Sequence, residues 1–109
     1  MSLLFSLGNQ PFILLAADMK QAIALNERDT VCTVLDAVEA GETIEVLRDG
    51  QVIQHLEVKE AVPKYFKVTL VAQSEDDEVI KYGEIIGQLN HDVQIGDLIH
   101  VDALRSIKV

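Results

Sequence analysis

The chain of 109 residues has no tryptophan, one cysteine, two prolines, and nine lysines and arginines against eighteen aspartates and glutamates. Each shortage excludes something. The lone Cys32 rules out an intrachain disulfide and a thiolate zinc cluster, and it suits a reducing cytoplasm. With aromatics at 5%, the core must be aliphatic, built from Val, Ile and Leu. The formal charge of −9, with no basic cluster, removes the positive footprint that nucleic-acid binding requires. An anionic ligand would therefore have to meet a local cation or a metal.

Long apolar runs are also missing. Residues 3–17, "LLFSLGNQPFILLAA", lack a positively charged flank, and "GNQP" splits them into halves too short to cross a bilayer. No membrane association is expected. Because "MKQAIALNERDTV" at Met19 would serve as a natural start, residues 1–18 read as an N-terminal extension, and residues 19–109 as one domain. The apolar "FILLAA" of the extension, or exposed strand edges, would allow a homo-oligomer.

What is present is a succession of short β-type segments. "AIAL" (22–25) reads as a first strand, followed by the polar turn "NERD". Asp29 is then placed to cap a helix: Val31, Val34, Leu35 and Val38 fall at i, i+3, i+4 and i+7, and Gly41 stands where a left-handed C-terminal cap is wanted. Asp36 and Glu39 fall off that stripe and read as solvated surface.

In residues 43–58, Asp49-Gly50 signals a two-residue hairpin that pairs Arg48 with Gln51 and sets His55 opposite Ile44, as a structural histidine. Pro63 marks a turn before "KVTLVA", and "SEDDE" (74–78) reads as an exposed acidic turn, lacking the glycine and spaced oxygens of a calcium loop. "EVIKY", a bend at Gly83 and "EIIGQL" give two more strands; "NHDVQIGD", with His91 in the loop, leads to a last strand, "LIHVDAL". Tyr82, before the bend, reads as a packing residue. Many short strands and one helix imply a small, mainly β domain.

The order "DTVCTVLDAVEAGETIEV", "VPKYFKVTL", "VIKYGEIIGQLNHDVQIGDLIHVDAL" resembles the N-terminal SAF (antifreeze-like) domain of the altronate and galactarate dehydratase family, over residues 22–104. The resemblance implies a β-clip fold of short bent strands with one short helix. It implies a lyase that removes water from sugar acids, or sulfite from sulfolactate, in which a small chain works with a separate large subunit and is inactive alone. For some members it implies ferrous iron.

Eliminating water from a hydroxy acid needs a base for the proton α to the carboxylate, an acid for the leaving hydroxyl, and a cation for the carboxylate. The family pattern supplies "GHK" after the proline and "HVHN" near the end. Here those positions read Tyr65-Phe66-Lys67 and His100-Val101-Asp102-Ala103. Lys67 and His100 carry over as catalytic candidates; Lys67, Asp102 and Tyr65 are candidate substrate contacts, and His100 with Asp102 a candidate metal pair. Strand alternation would set His100 and Asp102 on one face. The exchange of histidine for Phe66 also admits a non-catalytic binding or regulatory module on the same scaffold.

Overall fold

The computed structural model describes residues 19–107; the expectations for residues 1–18 lie outside them. Eight short strands run through the domain: β1 (Gln21–Ile23), β2 (Val31–Val34), β3 (Thr43–Arg48), β4 (Gln51–Glu57), β5 (Lys67–Thr69), β6 (Glu78–Lys81), β7 (Glu84–Leu89) and β8 (Leu104–Arg105). They form a five-stranded sheet in the order β4-β3-β1-β2-β5 and a three-stranded sheet in the order β6-β7-β8. All neighbours are antiparallel except β1 and β3. The domain is mainly β, as expected from both the residue pattern and the β-clip resemblance.

The predicted helix from Asp29 to Gly41 does not form; its first half is β2, and every residue of β2 is buried. The reason lies in two cores. Cys32 and Val34 point into one cluster with Ala22, Ile44, Val46, Val62 and Val68. Val31 points the other way, into a second cluster with Val79, Leu89, Val93, Ile99 and Ala103. A strand covered on both faces is apolar at nearly every position, so it matches helical spacing by default. Fully burying each such side chain contributes about 1.5–3 kcal/mol, well above the few tenths per residue at stake in helix propensity. Gly41 is left-handed as expected (φ 86°), but it ends a turn instead of a helix.

The sequence marks the first hairpin in full and the second only as a bend at Gly83. Asp49-Gly50 and Tyr82-Gly83 occupy the two central positions with positive φ that a two-residue turn of this type requires. Arg48 pairs with Gln51 as predicted. His55, however, faces Glu45 rather than Ile44, because the register shifts after Val46 and leaves Ile53 without a partner. The imidazole Nε2 lies 3.6 Å from a Glu45 carboxylate oxygen.

Asp29, placed by sequence as a helix cap, has a different duty. It is buried, and its carboxylate accepts hydrogen bonds from Leu25 N (2.9 Å), Asn26 N (3.1 Å) and, across 54 residues, Gly83 N (2.8 Å). It thus ties the β1–β2 turn to the β6–β7 turn. Replacing Asp29 by Ala orphans three amides, and we expect a loss of about 3 kcal/mol in urea unfolding, against less than about 0.5 kcal/mol for Asp36→Ala on the exposed surface.

Candidate functional site

Five four-residue turns share one construction. In 26–29, 39–42, 63–66, 74–77 and 94–97 the fourth amide donates to the first carbonyl, at 3.0–3.1 Å. In four of them an acid at the fourth position, Asp29, Glu42, Asp77 or Asp97, also accepts from the first amide. These bonds make "SEDDE" an acidic turn, as read from sequence, with its Asp76 paired to Arg105.

The turn 63–66 departs from this pattern. Its first residue is Pro63, which has no N–H to satisfy, so the fourth position is released from capping and carries the half-exposed Phe66. Its third residue, Tyr65, takes a left-handed backbone (φ 70°) where two of the sister turns use Gly41 and Gly96. A tyrosine there costs about 1–2 kcal/mol of backbone strain and holds its ring outward, 63% exposed, with Lys64 Nζ 5.0 Å from the ring centre. A turn that has shed its cap and tolerates strain is where function is to be sought.

The chain returns to this turn near its end. Val68 bridges Leu98, and Ile99 N donates to Lys67 O (3.0 Å). Continuing that antiparallel register sets His100 across from Phe66. The structure therefore brings Phe66 and His100 together beside Tyr65, whereas Lys67, paired with Ile99, leaves the other face of the same wall, on the side of the second core. His100 is exposed, and its Nε2 lies 3.2 Å from a carboxylate oxygen of Glu60, a partner that sequence reasoning missed because forty residues separate them.

Asp102 does not share a strand face with His100. The expected last strand is instead a 3-10 turn, Val101–Ala103, capped by the extended His100 and followed by the two residues of β8. Ala103 N closes the turn on His100 O (2.9 Å) while its side chain enters the second core. That burial wins over strand alternation and turns the exposed Asp102 away from strand geometry. His91 lies exposed in its loop, with Nδ1 2.9 Å from Asp92 O, and the half-exposed Tyr82 occupies the hairpin turn beneath Lys81 Nζ.

Lys67 is half-buried, and its pKa is pushed down, first by burial and then by the charge of Lys81. Burial also pushes the Cys32 thiol up to about 12, leaving it an inert core residue. The donors here do not fit a metal centre by themselves: among the described residues no three His, Cys, Asp or Glu side chains assemble, and the acid on His100 is Glu60, not Asp102. A groove of about 570 Å³ lies along β4, lined by His55, Glu57, Lys59 and Ile95, and does not include Lys67 or His100. That groove is therefore a separate feature of the surface from the turn that carries Tyr65 and Phe66.

Residues 20–107 match the family described as the altronate/galactarate dehydratase SAF domain. The chain is 31% identical over 83 residues to altronate dehydratase of Bacillus subtilis, covering 76% of this chain and 16% of that enzyme. It is 32% identical over 75 residues to the (2R)-sulfolactate sulfo-lyase subunit alpha of Chromohalobacter salexigens, covering 67% of this chain and 79% of that subunit. The chain therefore spans about a sixth of the first relative and most of the second. No helix of the described residues is long and apolar enough to cross a membrane.

Two outcomes follow for Tyr65 and Lys67. Tyr65→Gly relieves the left-handed strain and raises stability by up to about 1 kcal/mol in urea unfolding, since glycine's gain is partly offset in the unfolded chain. Lys67→Met removes a lysine whose charged form the fold disfavours. Because the folded pKa is lowered, wild-type stability rises with pH through the window below 10.5; the advantage of the methionine variant is largest under that window and fades towards its upper end.

Proposed function

The chain belongs to the altronate and galactarate dehydratase SAF-domain family, and on that premise we propose that it is the small subunit, or a detached N-terminal domain, of a sugar-acid dehydratase or related sulfo-acid lyase that acts with a separate large subunit. What supports this reading is that Lys67 and His100, the two residues carried over from the family pattern, stand on neighbouring segments through the pairing of β5 with residues 98–99, one on each face of that pairing. A relative of similar length that is itself named a subunit supports it. In this reading the large chain closes the site, excludes water and supplies the remaining groups.

The chemistry assigned to this chain is limited. His100, oriented by Glu60, exchanges a proton with the substrate: elimination breaks the C–H bond next to the carboxylate and the C–O bond beside it, and the departing hydroxyl leaves as water. Lys67 meets the carboxylate on which charge builds, and Tyr65 offers its hydroxyl beside Phe66; Asp102, in the 3-10 turn and off the face of His100, takes no part. Any ferrous iron is held by the large subunit, because among the described residues no three donors gather around one point and Asp102 does not share a face with His100. A cytoplasmic setting, suited to the buried free thiol, and galactarate-type substrates belong to the same proposal.

Phe66 favours a second reading, a docking module that has lost catalysis, since an aromatic replaces a group able to move protons. One pair of experiments separates them. With the full chain as bait in native lysate, a large dehydratase-type chain identified by mass is the expected capture, and retention of nothing removes the lyase reading. In the captured pair, Phe66→His raises the lyase rate by roughly tenfold or more if Phe66 and His100 mark a weakened acid–base site, and only weakens association if Phe66 is a docking residue.

A further inference from the structure

Three lysines of the described residues are half-buried: Lys20, Lys67 and Lys81. Lys20 has its acid, Glu42 at 3.2 Å. Lys67 and Lys81 make no ion pair among the described residues, in a chain where acids outnumber bases two to one.

Both lie on the seam between the two sheets. Thr33 and Lys67 are direct antiparallel partners on β2 and β5, so their side chains leave the same face with Cβ atoms about 5 Å apart. From that face Val31 packs against Val79 of β6, and alternation along β6 puts Lys81 on the same side as Val79. Thr30 fixes β6 there, donating from N to Ile80 O (2.9 Å) and accepting from Ile80 N on its hydroxyl (3.1 Å). On this face the hydroxyls of Thr33 and of Thr69, two residues beyond Lys67, are buried without a hydrogen-bond partner. Orphaned buried hydroxyls are rare, and these two share their face with two cations that have no acid among the described residues. The downward push of Lys81 on the Lys67 pKa agrees that the two charges feel one another.

We propose that this seam is a carboxylate site, in which the ammonium groups of Lys67 and Lys81 and the hydroxyl of Thr33 hold a carboxylate of a small hydroxy acid. Two oxygens and one negative charge suit two ammoniums and a hydroxyl, whereas the acidic surround disfavours a phosphate dianion. The site deepens the lyase reading by placing one end of its substrate, and it rests on that reading only for the identity of the acid.

The test is a two-dimensional amide NMR titration of the full chain with galactarate across the millimolar range, with inorganic phosphate and sodium chloride at matched ionic strength. Saturable shifts around Thr33, Lys67 and Lys81 with galactarate, absent with chloride and weaker with phosphate, are expected. Lys67→Met and Lys81→Met should each weaken binding about tenfold, with Lys81→Arg retaining most of it and Lys64→Met all of it. Thr33→Val should lose several-fold in affinity while unfolding no more easily, because it deletes an orphaned hydroxyl. No saturation, equal shifts with chloride, tighter binding of phosphate, or unchanged affinity in Lys81→Met would overturn the proposal. Galactarate binding that persists when no large chain is captured would overturn the lyase reading and leave this site standing.

Discussion

Four residues, Val31 to Val34, are buried on both faces, and the remaining architecture is arranged around that constraint. A small domain has little apolar surface to spare, and sharing one strand between two cores lets the described residues close two clusters instead of one. The sharing extends to the neighbours of β2. Val68 and Leu98 enter the first cluster, Ile99 enters the second, and Thr69 is buried on the side away from Val68. The wall formed by β2, β5 and residues 98–99 therefore has fixed sides, and polar groups on it, Thr33 and Lys67, are positioned with the precision of a core.

Against that fixed wall stands a set of turns built to one plan, with an acid capping its own first amide. The plan explains part of the acidity that composition shows: Asp29, Glu42, Asp77 and Asp97 are spent on backbone hydrogen bonds. It also singles out the one turn that omits the device. Pro63 removes the donor, position 66 is freed, and the position before it carries strain in a tyrosine. The turn 74–77 has the same left-handed third residue, in Asp76 (φ 76°), but keeps its capping acid, so the missing cap is what sets the turn at Pro63 apart.

The features legible in the sequence are those with local causes. Asp49-Gly50 announces its hairpin through backbone conformation alone, Gly83 marks the bend of the second, and the acidic turn at Ser74 to Glu78 shows in its composition, whereas nothing in Tyr82 advertises its left-handed backbone. The features that were missed have causes distant in the chain. The helix over Asp29 to Gly41 fails because Val31 and Val34 bury against opposite clusters. His55 shifts by one place through a bulge at Ile53 that no residue type advertises, and the last strand curls because Ala103 is drawn into the second core. For the site, the family resemblance named Lys67 and His100; the pairing that sets their backbones side by side, the Glu60 contact and the Thr33 and Lys81 surroundings needed the fold.

The family to which the chain belongs contains a relative several times longer and one of similar size. The account holds that catalysis belongs to an assembly and that this chain supplies one wall of it. The most direct measurement is the rate of water release from altronate and galactarate, and of sulfite release from sulfolactate, by the chain with its large partner and by each alone. The account predicts turnover of at least one of these acids by the pair and none by this chain by itself. Turnover by the lone chain, or by the large partner at the full rate of the pair, would contradict it.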